Sequence, residues 1–139
     1  MPTFVAFTPW TTLDGYRDLL ETVEALDLVE HVAPVQWGIR LLVTEGSRLL
    51  ELEDIRAQVA TFDPRTLTHP WTHQDSRVDA LQQAIMRLVG VRMTSSRQEI
   101  FDRVRDLSAL AAGERPAARP RPPAITRAAI PYLNEPWYC

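Results

Sequence analysis

Residues 32–47, VAPVQWGIRLLVTEGS, constrain the fold of this chain more than any other stretch. Val35, Trp37, Ile39, Leu41 and Val43 take alternate positions, and Gln36, Gly38, Arg40 and Leu42 fall between them. Side chains alternate across a strand, so the pattern predicts one buried strand with an apolar face and a polar stripe, feeding a glycine turn at Gly46. An antiparallel surface strand has this pattern. So does a strand of a (β/α) barrel whose apolar side meets helices and whose polar side lines a lumen. Alternation alone does not choose between them.

The segment before it favours the barrel. Residues 3–8, TFVAFT, are β-branched or aromatic apart from Ala6, and Pro9 ends them by removing a backbone donor. Thr11 or Thr12 then offers an N-cap hydroxyl, and Leu13, Tyr16, Leu19, Leu20, Val23 and Leu26 recur at helical spacing. The result is strand, helix, strand, with a crossover length suited to a parallel βαβ unit. The expected fold class is therefore α/β, with residues 1–47 forming the end of a partial (β/α) barrel.

Residues 48–112 read as a mostly α-helical extension. Leu49, Leu50, Leu52, Ile55 and Val59 predict short helical pieces, and residues 62–74, punctuated by Pro64 and Pro70, predict an irregular loop. A helix is expected over about 75–89 with Ser76 as its cap. Another starts at Ser96, where Glu99 completes a capping box, and ends at Gly113. Residues 113–139 read as an irregular Pro/Arg-rich linker followed by an apolar tail, AAIPYLNEPWYC. Ile130, Tyr132, Leu133, Trp137 and Tyr138 are too apolar to be left in water, so some surface should receive them.

Composition removes several function classes. At 139 residues the chain is long enough for one domain with a real core, and its formal net charge of −3 gives no basic footprint for nucleic acid. All fifteen basic residues are Arg, a coding bias with little functional weight. No secretory leader is evident at the N-terminus, and no apolar run approaches the roughly 20 residues that span a bilayer. The expectation is a cytoplasmic protein with neither nucleic acid nor membrane as partner. One cysteine, Cys139, excludes an intrachain disulfide.

Ligands of parallel (β/α) folds meet the C-terminal ends of the strands. Here those ends carry Thr8, Trp10 and Thr11 after the first strand and Arg40, on the same stripe as Gln36, at the second. Arg40 can bind a carboxylate or phosphate from that position, or simply pair with a neighbouring acid. His69 and His73 in HPWTH are four apart, but Pro70 and Trp71 oppose the helical geometry that would unite two imidazoles, so no metal site is expected. Cys139 beside Trp137 and Tyr138 is either a reactive thiol or an inert terminus. No nucleophile elbow, phosphate loop or dinucleotide fingerprint is present.

Three stretches in order, FTPWTTLDGYRDLL, DLVEHVAPVQWGIRLLVTEGSRLLEL and the final EPWYC, resemble the C-terminal third of the radical SAM proteins whose chains end in a CUAEP or CCAEP tail, U being selenocysteine. The resemblance implies the last βαβ unit of a radical SAM barrel, joined to a missing N-terminal part of the same enzyme. It also implies S-adenosylmethionine and a [4Fe-4S] cluster on a CxxxCxxC loop. This chain has one cysteine and binds neither group alone, so by itself it should be inactive. The resemblance further implies that Gln36, Arg40, Thr8, Trp10 and Thr11 lie on the adenosylmethionine or substrate side. Cys139 becomes a catalytic redox group beside a selenocysteine whose UGA codon is read as a stop. Bare strand edges predict self-association. The competing expectation is a complete small α-rich adaptor that docks a partner through its apolar C-terminal arm.

Overall fold

The computed structural model describes residues 2–91 and 95–116. Four helices carry the architecture: α1 (Leu13–Ala25), α2 (Glu53–Arg56), α3 (Ser76–Val91) and α4 (Arg97–Ala111). Tight 3-10 turns at Val29–His31, Pro34–Gly38 and Arg48–Glu51 fill the connections.

The expected βαβ barrel piece is not what forms. Among the described residues no strand, sheet or barrel is present, and the pairing of the two supposed strands reduces to one parallel bridge between Phe7 and Arg40. Phe7 N donates to Ile39 O (3.0 Å) and Leu41 N to Phe7 O (2.8 Å), and the ladder goes no further. Two local features stop it. Pro34, with its fixed φ, starts a 3-10 turn that carries Val35, Gln36 and Trp37 out of extended geometry. On the other side the Thr11 hydroxyl curls the chain into a turn, accepting from Thr8 N (2.9 Å) and donating to Ala6 O (3.2 Å). The apolar alternation of residues 35–43 therefore marks anchor points: Trp37 and Val43 are buried, whereas Val35 is exposed.

The helices begin and end on local signals. Thr12 caps α1 by accepting from Gly15 N, and Ser96 and Glu99 make the reciprocal capping box of α4. Both helices finish in the paired hydrogen-bond pattern that follows a left-handed residue: Leu28 N to Val23 O after Asp27 (φ 53°), and Glu114 N to Ala109 O after Gly113 (φ 80°). At α3 the cap is Asp75 and not Ser76, since the Asp75 carboxylate accepts from Arg77 N at 3.0 Å.

One apolar cluster gathers residues from 1–47 and 48–112 alike. Leu13, Tyr16, Leu20 and Val23 of α1 meet Val78, Leu81 and Ile85 of α3 and Ile100, Phe101 and Val104 of α4. Trp37 sits among them, its ring 5.6 Å from Phe4 and 5.2 Å from Phe101. Phe7 stacks on Tyr16 at 4.8 Å, and the Tyr16 hydroxyl donates to Trp37 O at 2.8 Å. Gly38 lets α3 approach: a Cβ there would lie 2.6 Å from the Met86 sulfur, and Gln82 Nε2 donates to Gly38 O. α1 and α4 run antiparallel, joined by Arg17–Glu114 and Glu24–Arg105 ion pairs.

Burial pushes the Tyr16 phenol well above its ordinary value. A raised folded pKa means that its contribution is complete below the unfolded value of about 10 and declines as pH rises past it. Unfolding free energy from urea titrations should therefore fall above about pH 10. Tyr16→Phe should abolish much of that fall while costing about 1–2 kcal/mol at neutral pH, because the Trp37 carbonyl loses its donor. A wild-type profile that stays level through pH 11 would contradict this.

Candidate functional site

Arg40 is the most heavily engaged polar side chain near the Phe7 pairing. Its guanidinium lies 3.5 Å from the centre of the Trp71 ring, pairs with Asp79 Oδ1 at 2.6 Å and donates to Trp71 O. Stacking on an aromatic face while bonding a carboxylate suits the planar, delocalised cation of Arg better than Lys. Asp79 uses its other oxygen to accept from His73 N (2.9 Å), and Trp71 Nε1 donates to Leu41 O (2.8 Å). This latch binds three pieces together: the extended residues after Gly38, the loop 57–75, and the first turn of α3. His69 N to Val43 O (2.7 Å) adds a backbone tie to the same loop.

The other sequence-predicted residues divide into neighbours of this latch and residues turned elsewhere. Thr8 and Thr11 follow the Phe7 pairing, their hydroxyls 3.0 Å apart within the turn. Trp10 is half exposed and directs its indole N–H to Asp54 Oδ2 (2.6 Å), away from Arg40's partners. Gln36 accepts from Phe4 N (3.1 Å) and so pins the N-terminal segment. Cys139 lies outside the described residues. His69 Nδ1 lies 3.0 Å from Ala60 O, while His73 Nδ1 lies 2.9 Å from Asp75 N, so the two imidazoles serve separate backbone contacts. Among the described residues no three His, Cys, Asp or Glu side chains are grouped to hold a metal ion.

A cleft of about 360 Å³ opens where α1 and α3 begin and α4 ends. Leu13, Val78 and Ala112 contribute apolar surface, and Thr12, Asp14, His73, Asp75 and Arg77 the polar lining. The Asp75 carboxylate takes a forked contact from Arg77, with Nη2 at 2.7 Å and Nε at 3.0 Å. The hydrogen bonds from the Arg77 side chain and backbone hold the Asp75 carboxyl down at about 2. Leu13 and Val78 are buried in the core, so the surface that the cleft presents is chiefly the polar one of Thr12, Asp14, His73, Asp75 and Arg77.

Sequence reasoning missed Trp71, Asp79 and the Asp75–Arg77 pair. Trp71 entered only as an obstacle to a metal site, although an aromatic next to a proline in a polar loop is a signal that the loop is anchored. Asp79 lies one turn into α3 on its half-buried side, and nothing local to it announces Arg40 as partner. Comparison with protein-family models, curated proteins and solved structures returned no match. No helix among the described residues is long and apolar enough to cross a membrane.

Truncating one partner of a largely buried ion pair leaves the other charge uncompensated. Arg40→Ala should destabilise the protein by about 2–3 kcal/mol, somewhat below the fully buried case because both side chains keep some solvent contact. Arg40→Met with Asp79→Leu should lose less than either single change, as measured by urea unfolding. Equal or additive losses would remove the latch from the account. For Asp75 the sign is opposite to that of Tyr16: its folded value is depressed, so its contribution is present above the ordinary aspartate range and lost as pH falls through about 2. A carboxyl NMR titration should place its midpoint near 2, and Arg77→Gln should return it toward the ordinary range.

Proposed function

We propose that this polypeptide is the C-terminal portion of a radical SAM enzyme of the CUAEP/CCAEP-tail type, supplying structure and a thiol-bearing tail to a reaction initiated elsewhere in the longer protein. The observation that carries the reading is the order of the three family-like stretches, ending in EPWYC. Packing supports it, because the first two stretches form one contiguous unit. Phe7 bonds Ile39 and Leu41, and Tyr16 bonds Trp37. A [4Fe-4S] cluster on CxxxCxxC needs three cysteine thiolates, and this chain has one, so its residues do not fit that group and no step through it is assigned to them. Arg40 and Gln36 are both engaged inside this body, which suits them to positioning the backbone that borders a site.

One observation favours a second reading, an α-rich adaptor. The apolar cluster draws the N-terminal segment, α1, α3 and α4 into a single core, as an independently folding module requires. The coding DNA separates the two. The enzyme reading expects an in-frame TGA directly after the Cys139 codon followed by Ala-Glu-Pro codons, and an upstream frame encoding CxxxCxxC. A TAA or TAG stop with no such upstream frame would overturn it and leave the adaptor.

A further inference from the structure

We propose that the Thr11 side chain closes the outer margin of residues 4–8, so that a second copy of this chain cannot pair along it. The margin otherwise invites pairing. No charged side chain precedes Asp14, and the run TFVAFT is β-branched or aromatic apart from Ala6, with Val5 46% exposed. Extended, uncharged segments of this kind template association when their backbone groups are free, and proteins commonly blunt them with charges or a covering loop.

Hydrogen bonds supply the closure here. Extended backbone directs the N–H and C=O of successive residues to opposite sides, and Phe7 commits both of its own to Ile39 and Leu41. Ala6 O and Thr8 N therefore face the other way, where a parallel neighbour would bond both through one residue. Thr11 Oγ1 stands in that place: it donates to Ala6 O (3.2 Å) and accepts from Thr8 N (2.9 Å), while Thr11 N donates to Thr8 O (3.1 Å). Farther along, Gln36 Oε1 accepts from Phe4 N (3.1 Å). Two copies related by a two-fold axis would meet antiparallel, and each hydrogen-bonded residue must then offer its N–H and C=O together. Phe4 has its N–H held by Gln36, Ala6 its C=O and Thr8 both groups held by Thr11, so none of the three offers the pair. The inference stands on these bonds and does not depend on the radical SAM reading.

Three single variants of the full chain test it. Thr11→Val removes the hydroxyl at nearly constant volume, Thr11→Ser keeps it, and Thr12→Ala weakens the fold by removing the cap of α1 while leaving Ala6 and Thr8 bonded. In sedimentation velocity from about 5 to about 200 µM, Thr11→Val should form dimers or larger species and roughly double its weight-average mass, whereas the other two should match the wild type. A Thr11→Val chain that sediments like the wild type would overturn the proposal. So would equal association of Thr12→Ala, which would trace the effect to lost stability. The wild type gives a second readout that needs no variant: its Thr8 amide should exchange with deuterium at least about tenfold more slowly than an unbonded amide at every concentration. Protection that is absent, or gained only as concentration rises, would overturn the proposal by leaving the margin open or placing another chain on it.

Discussion

The body of this protein depends on how one tryptophan is held. Trp37 is 1% exposed, lies between Phe4 and Phe101, and has its carbonyl bonded by the Tyr16 hydroxyl. Those contacts fix four separate parts of the chain to one another: the N-terminal segment, α1, α4 and, through the adjoining Gly38, α3. Burial of large aromatic side chains is worth about 2–3 kcal/mol each, but the direction of assembly comes from the hydrogen bond. A phenol buried this deeply must find an acceptor, and the Trp37 carbonyl supplies it.

The loop 57–75 depends on a different kind of contact. It has few buried apolar side chains, Trp71 being the principal one, so hydrophobic packing alone would leave it loosely placed. Arg40 makes up the difference by stacking on Trp71 and pairing with Asp79, and that geometry orients His73 and Asp75 at the rim of the cleft. The cleft thus draws on both kinds of contact: the core sets Leu13 and Val78, and the Arg40–Asp79 pair helps to place His73 and Asp75.

Helices were legible from sequence because their signals are local. The Leu13, Tyr16, Leu20, Val23 spacing and the Ser96–Glu99 capping box each lie within a few residues, and the structure places α1 and α4 accordingly. The strand reading of residues 35–43 failed for a reason of the same kind. Period-two alternation marks apolar positions and not a ladder: Trp37, anchored in a 3-10 turn, and Val43, in an extended segment, are buried without strand pairing, whereas Val35 is exposed. Pro34 was the local evidence against extended pairing. Of the candidate site residues, Arg40 was recognisable as a side chain in need of an anion, but Asp79 and Trp71 are more than thirty positions away, and no spacing rule reaches that far.

The sealed ends of α1 and α4 have a consequence for whatever is joined to this body. A helix that stops because Asp27 or Gly113 turns the backbone left-handed does not lengthen when new sequence is attached beyond it. The Asp27 stop fixes the length of α1 inside the body, and the Gly113 stop, with Glu114 N bonded to Ala109 O, gives the chain that follows α4 a fixed point of departure that leaves the dimensions of the helix unchanged.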